Sequence, residues 1–212
     1  KILKHFNIGA SANYREVWQP KTVRYNDYDP LIDGVRKDTV SGFSAFRTYS
    51  YGLSMDTAIF GTVNFKEDKK VRSIRHTMRP SISYSSAPSF DQYYDEYIID
   101  ADGNTREYTR FEGGLYGSPS RGISKSMGIS LSNNFEAKIV DPDTTKTELK
   151  KVQLIKNLNL STSYNMVSEE FKWSPVRVSS GIDLFDRKIS INLGATMDMY
   201  ALNEQNQRIN EF

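Results

Sequence analysis

Between Ile123 and Ile139 the side chains alternate strictly. Ile123, Met127, Ile129, Leu131, Phe135, Ala137 and Ile139 fall on one parity, and Ser124, Ser126, Gly128, Ser130, Ser132, Asn134, Glu136 and Lys138 on the other. Successive strand side chains point to opposite faces, so a period of two means a sheet with one apolar and one polar face. Strands of soluble domains usually stop at about five or six residues. This alternation runs far beyond that, to the length a strand needs to cross a bilayer at a tilt. The same pattern recurs along the chain. It predicts an all-β fold: a transmembrane antiparallel up-and-down β-barrel in the bacterial outer membrane, with about eight strands here.

Composition agrees with a wall between lipid and water. The hydrophobic fraction is 38% and the mean hydropathy −0.58, too polar for a soluble protein to fill a core easily. A barrel whose apolar residues face lipid and whose lumen is wet has no such difficulty. The 13 Tyr and 11 Phe suit aromatic girdles at two membrane interfaces, although β-propensity alone also favours aromatics. With 28 Lys+Arg against 26 Asp+Glu, the chain lacks the basic surplus of a nucleic-acid binder. Cysteine is absent, which excludes disulfide and thiolate chemistry. His5 and His76 lie far apart, so neither a zinc site nor a catalytic histidine cluster is expected. The glycines Gly113, Gly114 and Gly117 read as strand and turn rather than as a phosphate cradle. No enzyme and no cofactor are expected. No signal peptide opens the chain, and residues 1–212 read as one partial barrel domain, an internal fragment of a larger barrel.

The expected strands run from Ile2 to Glu16, Phe43 to Phe60, Ser73 to Ala87, Thr105 to Tyr116, Ile123 to Ile139, Val152 to Met166, Trp173 to Leu184 and Lys188 to Tyr200. Trp18 and Pro20 are expected to close the first, and Pro80 to mark a bulge or an open edge in the third. Asp102-Gly103 signals a hairpin within a long loop. Connections one, three and five are long and two, four and six short, as when long loops face outside. The seventh, a tight turn at Asp186-Arg187, breaks that rule.

The parities assign two faces. Arg75, Arg79, Ser124, Ser126, Ser130, Ser132, Asn134, Asn157, Asn159, Ser161 and Ser163 are candidate lumen-facing residues. Ile129, Leu131, Phe135, Leu158, Leu160, Ile191 and Leu193 are candidate lipid-facing residues, with His76 on the same parity near an interface. Arg75 and Arg79 either guide anionic phosphates or, more simply, pair with lumenal carboxylates. The Ser and Asn rows are either a slide for sugar chains or the solvated inner wall of any barrel.

Two stretches go beyond architecture. Ile74-Arg75-His76-Thr77-Met78-Arg79-Pro80-Ser81-Ile82-Ser83-Tyr84 through Phe90 resembles the RHxxxPSxSYSxxP strand of the lipopolysaccharide-assembly LptD family. Phe111-Glu112-Gly113-Gly114-Leu115-Tyr116-Gly117-Ser118-Pro119 is similar to a hallmark of its Bacteroidota branch. Leu158 to Pro175 and Tyr200 to Phe212 resemble its NLSxSxSYN…WSP and YALxExxxRINxF segments, in family order. The resemblance implies a wall segment of the outer-membrane translocon that inserts lipopolysaccharide into the outer leaflet. It implies as partners lipopolysaccharide, outer-membrane lipids, an LptE-like lipoprotein plug, and periplasmic bridge proteins that dock on an N-terminal jelly roll. It implies no nucleic acid. Disulfides that join barrel and jelly roll in well-studied members have no cysteine here. Without the resemblance, the same faces suit a porin or a TonB-dependent receptor barrel for solute uptake, and a soluble β-sandwich is the rival fold. Asp38-Thr39-Val40 and Asp143-Thr144-Thr145, both expected in loops, resemble an O-glycosylation signal of envelope proteins of that bacterial group, on Thr39 and Thr144.

Overall fold

The computed structural model of the chain describes residues 5–141, 148–184 and 188–212. Ten strands are seen: β1 (Phe6–Tyr25), β2 (Lys37–Thr57), β3 (Ile59–Asn64), β4 (Val71–Ala87), β5 (Tyr94–Ile98), β6 (Thr105–Thr109), β7 (Ser124–Val140), β8 (Leu149–Asn165), β9 (Val176–Leu184) and β10 (Ile189–Met197). Eight of them form one sheet in the order β1-β2-β4-β7-β8-β9-β10, with β3 paired to β4. β5 and β6 form a separate two-stranded sheet. Among the described residues no helix is long and apolar enough to cross a membrane. β1, β2, β4, β7 and β8 are 20, 21, 17, 17 and 17 residues long, and β9 and β10 are 9 each. All meet or exceed the roughly 9–11 residues of a tilted spanning strand.

The eight-stranded antiparallel sheet is the expected one, but two of its strands differ from the reading above. Thr105 to Tyr116 is not a member. Its strand stops at Thr109 and pairs only with β5, Tyr94 opposite Thr109 and Ile98 opposite Thr105. Gly113 and Gly117 take φ of 73° and 75°, left-handed values that favour glycine and that end a strand. The eighth strand is β3. It continues β2 beyond an interruption at Ala58 and pairs with β4 from Ile59 opposite Met78 to Asn64 opposite Ser73. Pro80 of β4 lies just past that ladder and lines a shallow apolar depression with Met55, Thr57, Ile82, Ile129 and Leu131. A proline lacks the ladder donor, so the pairing breaks beside it.

Removing the false strand restores the loop pattern. The connections after β1, β4 and β8 are now the first, third and fifth, and the short ones after β3, β7 and β9 are the second, fourth and sixth. Asp186-Arg187, like Asp143 and Thr144, lies outside the described residues. β1 also outruns its expected end, passing through Trp18 and Pro20 to Tyr25. Thr39 is exposed but sits in β2 rather than in a loop.

Contacts divide the chain into two compact units, residues 1–10, 52–84 and 125–212, and residues 11–51 and 85–124. In the first, the β7–β8 ladder shifts register between Asn133 and Phe135 and again between Phe135 and Glu136. Both shifts add residues to β8, and Leu154, expected on the face of Leu158 and Leu160, is left without a partner between paired Gln153 and Ile155. A bulge strands backbone carbonyls, and an unmet buried acceptor is costly. Two asparagines supply the donors: Asn133 Nδ2 bonds the Leu158 carbonyl at 3.1 Å and Asn134 Nδ2 the Lys156 carbonyl at 2.9 Å. Asn133 is buried, and its Oδ1 meets His76 Nε2 at 2.9 Å, while the His76 ring stacks on Phe135 at 4.2 Å. Asn133→Ala is expected to destabilise the sheet by about 1–3 kcal/mol, read as a lower urea midpoint of the purified protein. An unchanged midpoint would show the bulge to be self-sufficient.

The second unit is organised by a small apolar core. Val17, Phe46 and Phe111 are buried, with Tyr93 packed against them. Phe46 and Phe111 ring centroids are 4.9 Å apart, and Tyr93 meets both edge-on. Phe111 comes from the loop after β6 and Val17 and Phe46 from β1 and β2, so the long third connection folds onto that hairpin.

Candidate functional site: a polar wall and a docked loop

Paired residues of neighbouring strands share a face, so the register shows which candidates come together. Ser126 opposes Asn165, Gly128 opposes Ser163, Ser130 opposes Ser161 and Ser132 opposes Asn159. β8 passes the row on to β9, Ser161 opposite Arg177, Asn159 opposite Ser179 and Asn157 opposite Gly181. On the other side the Ser81 and Ser130 hydroxyls meet at 2.7 Å, which ties the set holding Arg75, Arg79 and Ser81 to the same face. Ser124 and Asn134 keep this parity in β7. The result is one hydroxyl- and amide-rich face across β4, β7, β8 and β9. Hydroxyls and amides donate and accept at once, so such a face is wetted readily or bonds sugar hydroxyls. Gly181 lies close against this face: a Cβ there would lie 2.5 Å from Asn157 Oδ1 and would displace that amide.

The opposite face is mainly apolar, interrupted by Asn133, Thr162 and Ser180. Leu131 opposes Leu160, Ile129 opposes Thr162 and Asn133 opposes Leu158. Leu160 opposes Val178 and Leu158 opposes Ser180. Ile182 then opposes Ile191 and Ser180 opposes Leu193. Phe135 opposes Ile155 within the bulge. Leu193 is 61% exposed and Ile191 40%, which in water would be a large greasy surface.

In the second unit the loop covers one alternate set of β1 and leaves the other bare. Val17 and Gln19 are buried, whereas Tyr14 and Trp18 are exposed. Backbone and side-chain bonds fix the loop: Val23 N–H to the Arg110 carbonyl at 2.9 Å, and an Arg15 guanidinium N–H to the Tyr116 carbonyl at 2.8 Å. Gly114 presses on Gln19, leaving no room for a Cβ. The covered residues Val17 and Gln19 belong to the alternate set of β1 that begins with Asn7, as does the exposed Arg15. Above them, Asn13, Arg15, Thr48, Ser50, Phe90 and Ser118 line an open cleft of about 290 Å³. Glu112 accepts from Lys37 Nζ at 3.0 Å and from the Tyr25 hydroxyl at 3.1 Å. The Lys37 bond, more than the Tyr25 bond, holds its carboxyl below the usual range. A lowered folded-state value means that this contact stabilises docking above the unfolded carboxyl's range and is lost as pH falls through the lowered one. Cleavage of the 105–121 segment by a protease that works in acid is expected to rise there, and the step should vanish in Glu112→Gln. A step of equal size in the variant would assign the effect elsewhere.

The four motif-bearing stretches interlock in pairs. The end of the first and the end of the second share the cleft, through Ala87 and Phe90 with Ser118 and Pro119. Tyr94, just beyond Phe90, donates to the Pro119 carbonyl at 2.6 Å. The third and fourth meet where Trp173 N–H bonds the Tyr200 hydroxyl at 2.9 Å and Phe171 N–H bonds Asn210 Oδ1 at 3.0 Å. Arg208 lies over both the Phe171 and Tyr200 rings, at 4.7 and 4.6 Å, with its fork on Asp198. The motifs are therefore structural locks around the loops. The bulge asparagine and the buried Phe111 escaped the sequence reading; the three closely spaced glycines beside Phe111 were the available signal.

A sheet of overlong strands with one polar and one apolar face defines a membrane β-barrel wall. The family described as LptD protein matches residues 1–200, and the chain belongs to that family. It is thereby an outer-membrane protein with a role in lipopolysaccharide transport and assembly. Comparison with curated proteins and with solved structures finds no match.

Proposed function

We propose that this chain walls the translocon that delivers lipopolysaccharide to the outer leaflet. Its Ser- and Asn-rich face lines the lumen, and the face of Ile129, Leu131, Phe135, Leu158, Leu160, Ile191 and Leu193 meets lipid. The observation that carries the reading is the unbroken polar row from Ser81 through Ser130 and Ser161 to Arg177 in a chain of this family. A wet wall lets the saccharide pass while acyl chains stay in the bilayer, because hydroxyl-rich surface bonds sugar and apolar surface does not. In this reading the long connections face outside, and the docked Phe111 loop lies over the lumenal set of β1. An LptE-like lipoprotein fills the lumen, and bridge proteins reach the barrel through a jelly roll outside this sequence. The role is transport, without bond-making chemistry.

Depletion of the full-length protein with labelling of surface lipopolysaccharide tests the proposal. The expected result is loss of surface label, and co-purification of a small lipoprotein inside the barrel. Unchanged surface label with impaired uptake of a nutrient would overturn it in favour of a solute channel.

A further inference from the structure

The polar face is not neutral throughout. Near the short-connection end, the β7–β8 register puts Lys138 directly opposite Lys151. Like charges facing each other across a ladder are unfavourable unless something lies between them. On the same face Arg75, opposite Thr62 in β3, spreads its guanidinium over the Phe60 ring at 4.7 Å. Stacking on an aromatic ring holds that plane and leaves its N–H edges free to donate. Arg79 follows on the same alternate set of β4 and is exposed. Among the described residues of β4, β7 and β8 this face carries one carboxylate, Glu136, opposite Gln153, and β9 adds Asp183 on the alternate set of Ser179 and Gly181. Among the described residues none of Arg75, Arg79, Lys138 and Lys151 forms an ion pair, whereas nearby Lys156 pairs with Asp183 at 3.3 Å. Pairing with carboxylates of this chain, the simpler account of the two arginines, is therefore not what the described residues show.

We infer that two cation pairs spread along this face, Arg75 with Arg79 and Lys138 with Lys151, form an anion subsite that takes the phosphate groups of a phosphorylated glycolipid. The inference rests on the proposal that this face lines the lumen of a lipopolysaccharide translocon. Its chemistry is that of phosphate recognition: Arg forks match pairs of phosphate oxygens, and Lys adds compact charge. A phosphate between Lys138 and Lys151 converts their repulsion into two attractions. Ser132 and Asn159, and beyond them Ser130 and Ser161, continue the face away from the lysines; they are neutral and suited to the sugar that carries the phosphate. Free phosphate offers the same oxygens, so the experiment separates the two sources.

The test uses the full-length protein with its lipoprotein partner in neutral detergent. The probes are lipopolysaccharide with a phosphorylated lipid anchor, the same material enzymatically dephosphorylated, and inorganic phosphate. Arg75→Gln with Arg79→Gln, and Lys138→Gln with Lys151→Gln, are each expected to weaken binding of the phosphorylated probe about tenfold or more, leaving the dephosphorylated probe unchanged. Lys138→Arg with Lys151→Arg should retain binding, as should Lys66→Gln with Lys69→Gln in the exposed turn. Heat-modifiable migration confirms that each variant is folded. Equal affinity of folded Gln variants and native protein for the phosphorylated probe would overturn the inference while leaving the translocon reading intact. Failure of the native protein to bind either glycolipid would remove that reading and the subsite together. Displacement by inorganic phosphate at equal concentration would overturn the lipid assignment. Loss of the lipoprotein with glycolipid binding intact would assign the cations to an acidic partner surface and overturn it as well.

Discussion

Leu131→Arg is expected to destabilise the folded barrel by about 2–4 kcal/mol, the cost of a cation near the bilayer midplane. Leu131 lies midway along β7, paired with Leu160 on the apolar face and beside Ile129 and Pro80 at the shallow depression. Arg there must reach several residues to find water, or drag water in. Ser130→Arg is the internal control, one residue away on the opposite face and opposite Ser161. It should cost little, because a wet lumen solvates the charge. Urea unfolding in lipid vesicles measures both. Because a one-residue change of parity separates the two, the pair tests the assignment of faces itself. Equal cost at both positions would mean that both faces are buried, as in a sandwich, and reversed costs would exchange lumen and lipid.

Much of the wall was legible because side-chain alternation is imposed by backbone geometry and survives over many residues. Gly128 to Ser132 and Asn159 to Ser163 fall opposite one another as their parities predict. What was not legible depends on pairing. Nothing in the composition of β8 announces the extra residues around Leu154, and Asn133 looks like an interruption of the apolar set until its bond to the Leu158 carbonyl is seen. The opposed Lys138 and Lys151 emerge only from a register that those two bulges have shifted. The strand misread at Thr105 to Tyr116 has a different origin. Its residues alternate locally, but Gly113 and Gly117 adopt left-handed φ, and the apolar Phe111 goes to a core made by strands far away in sequence. The irregular last connection was the visible symptom of that error. β1 was cut short for the converse reason, since the long-range cover over Val17 and Gln19 leaves no local trace.

Phe111→Ala should have the second large effect, and it should be local. The ring is fully buried between Phe46 and Tyr93, with Arg110 over it at 5.2 Å. Removing a buried Phe ring costs about 3–5 kcal/mol when the site cannot collapse. Here the ring is the anchor of a connection otherwise held by a few exposed bonds, such as Arg15 to the Tyr116 carbonyl and Lys37 to Glu112. Exposed contacts of that kind are worth about 0–1 kcal/mol each, too little to replace the ring. The loop is therefore expected to undock while the ladder of β7 to β10 keeps its pairing. Hydrogen exchange resolves the two regions. Protection should drop at Val23, whose N–H bonds the Arg110 carbonyl, and persist at Leu131 and Leu160. Phe111→Leu keeps most of the apolar volume and should recover much of the protection, which separates loss of packing from loss of the aromatic ring. Retained protection at Val23 in Phe111→Ala would show that the exposed bonds hold the loop unaided.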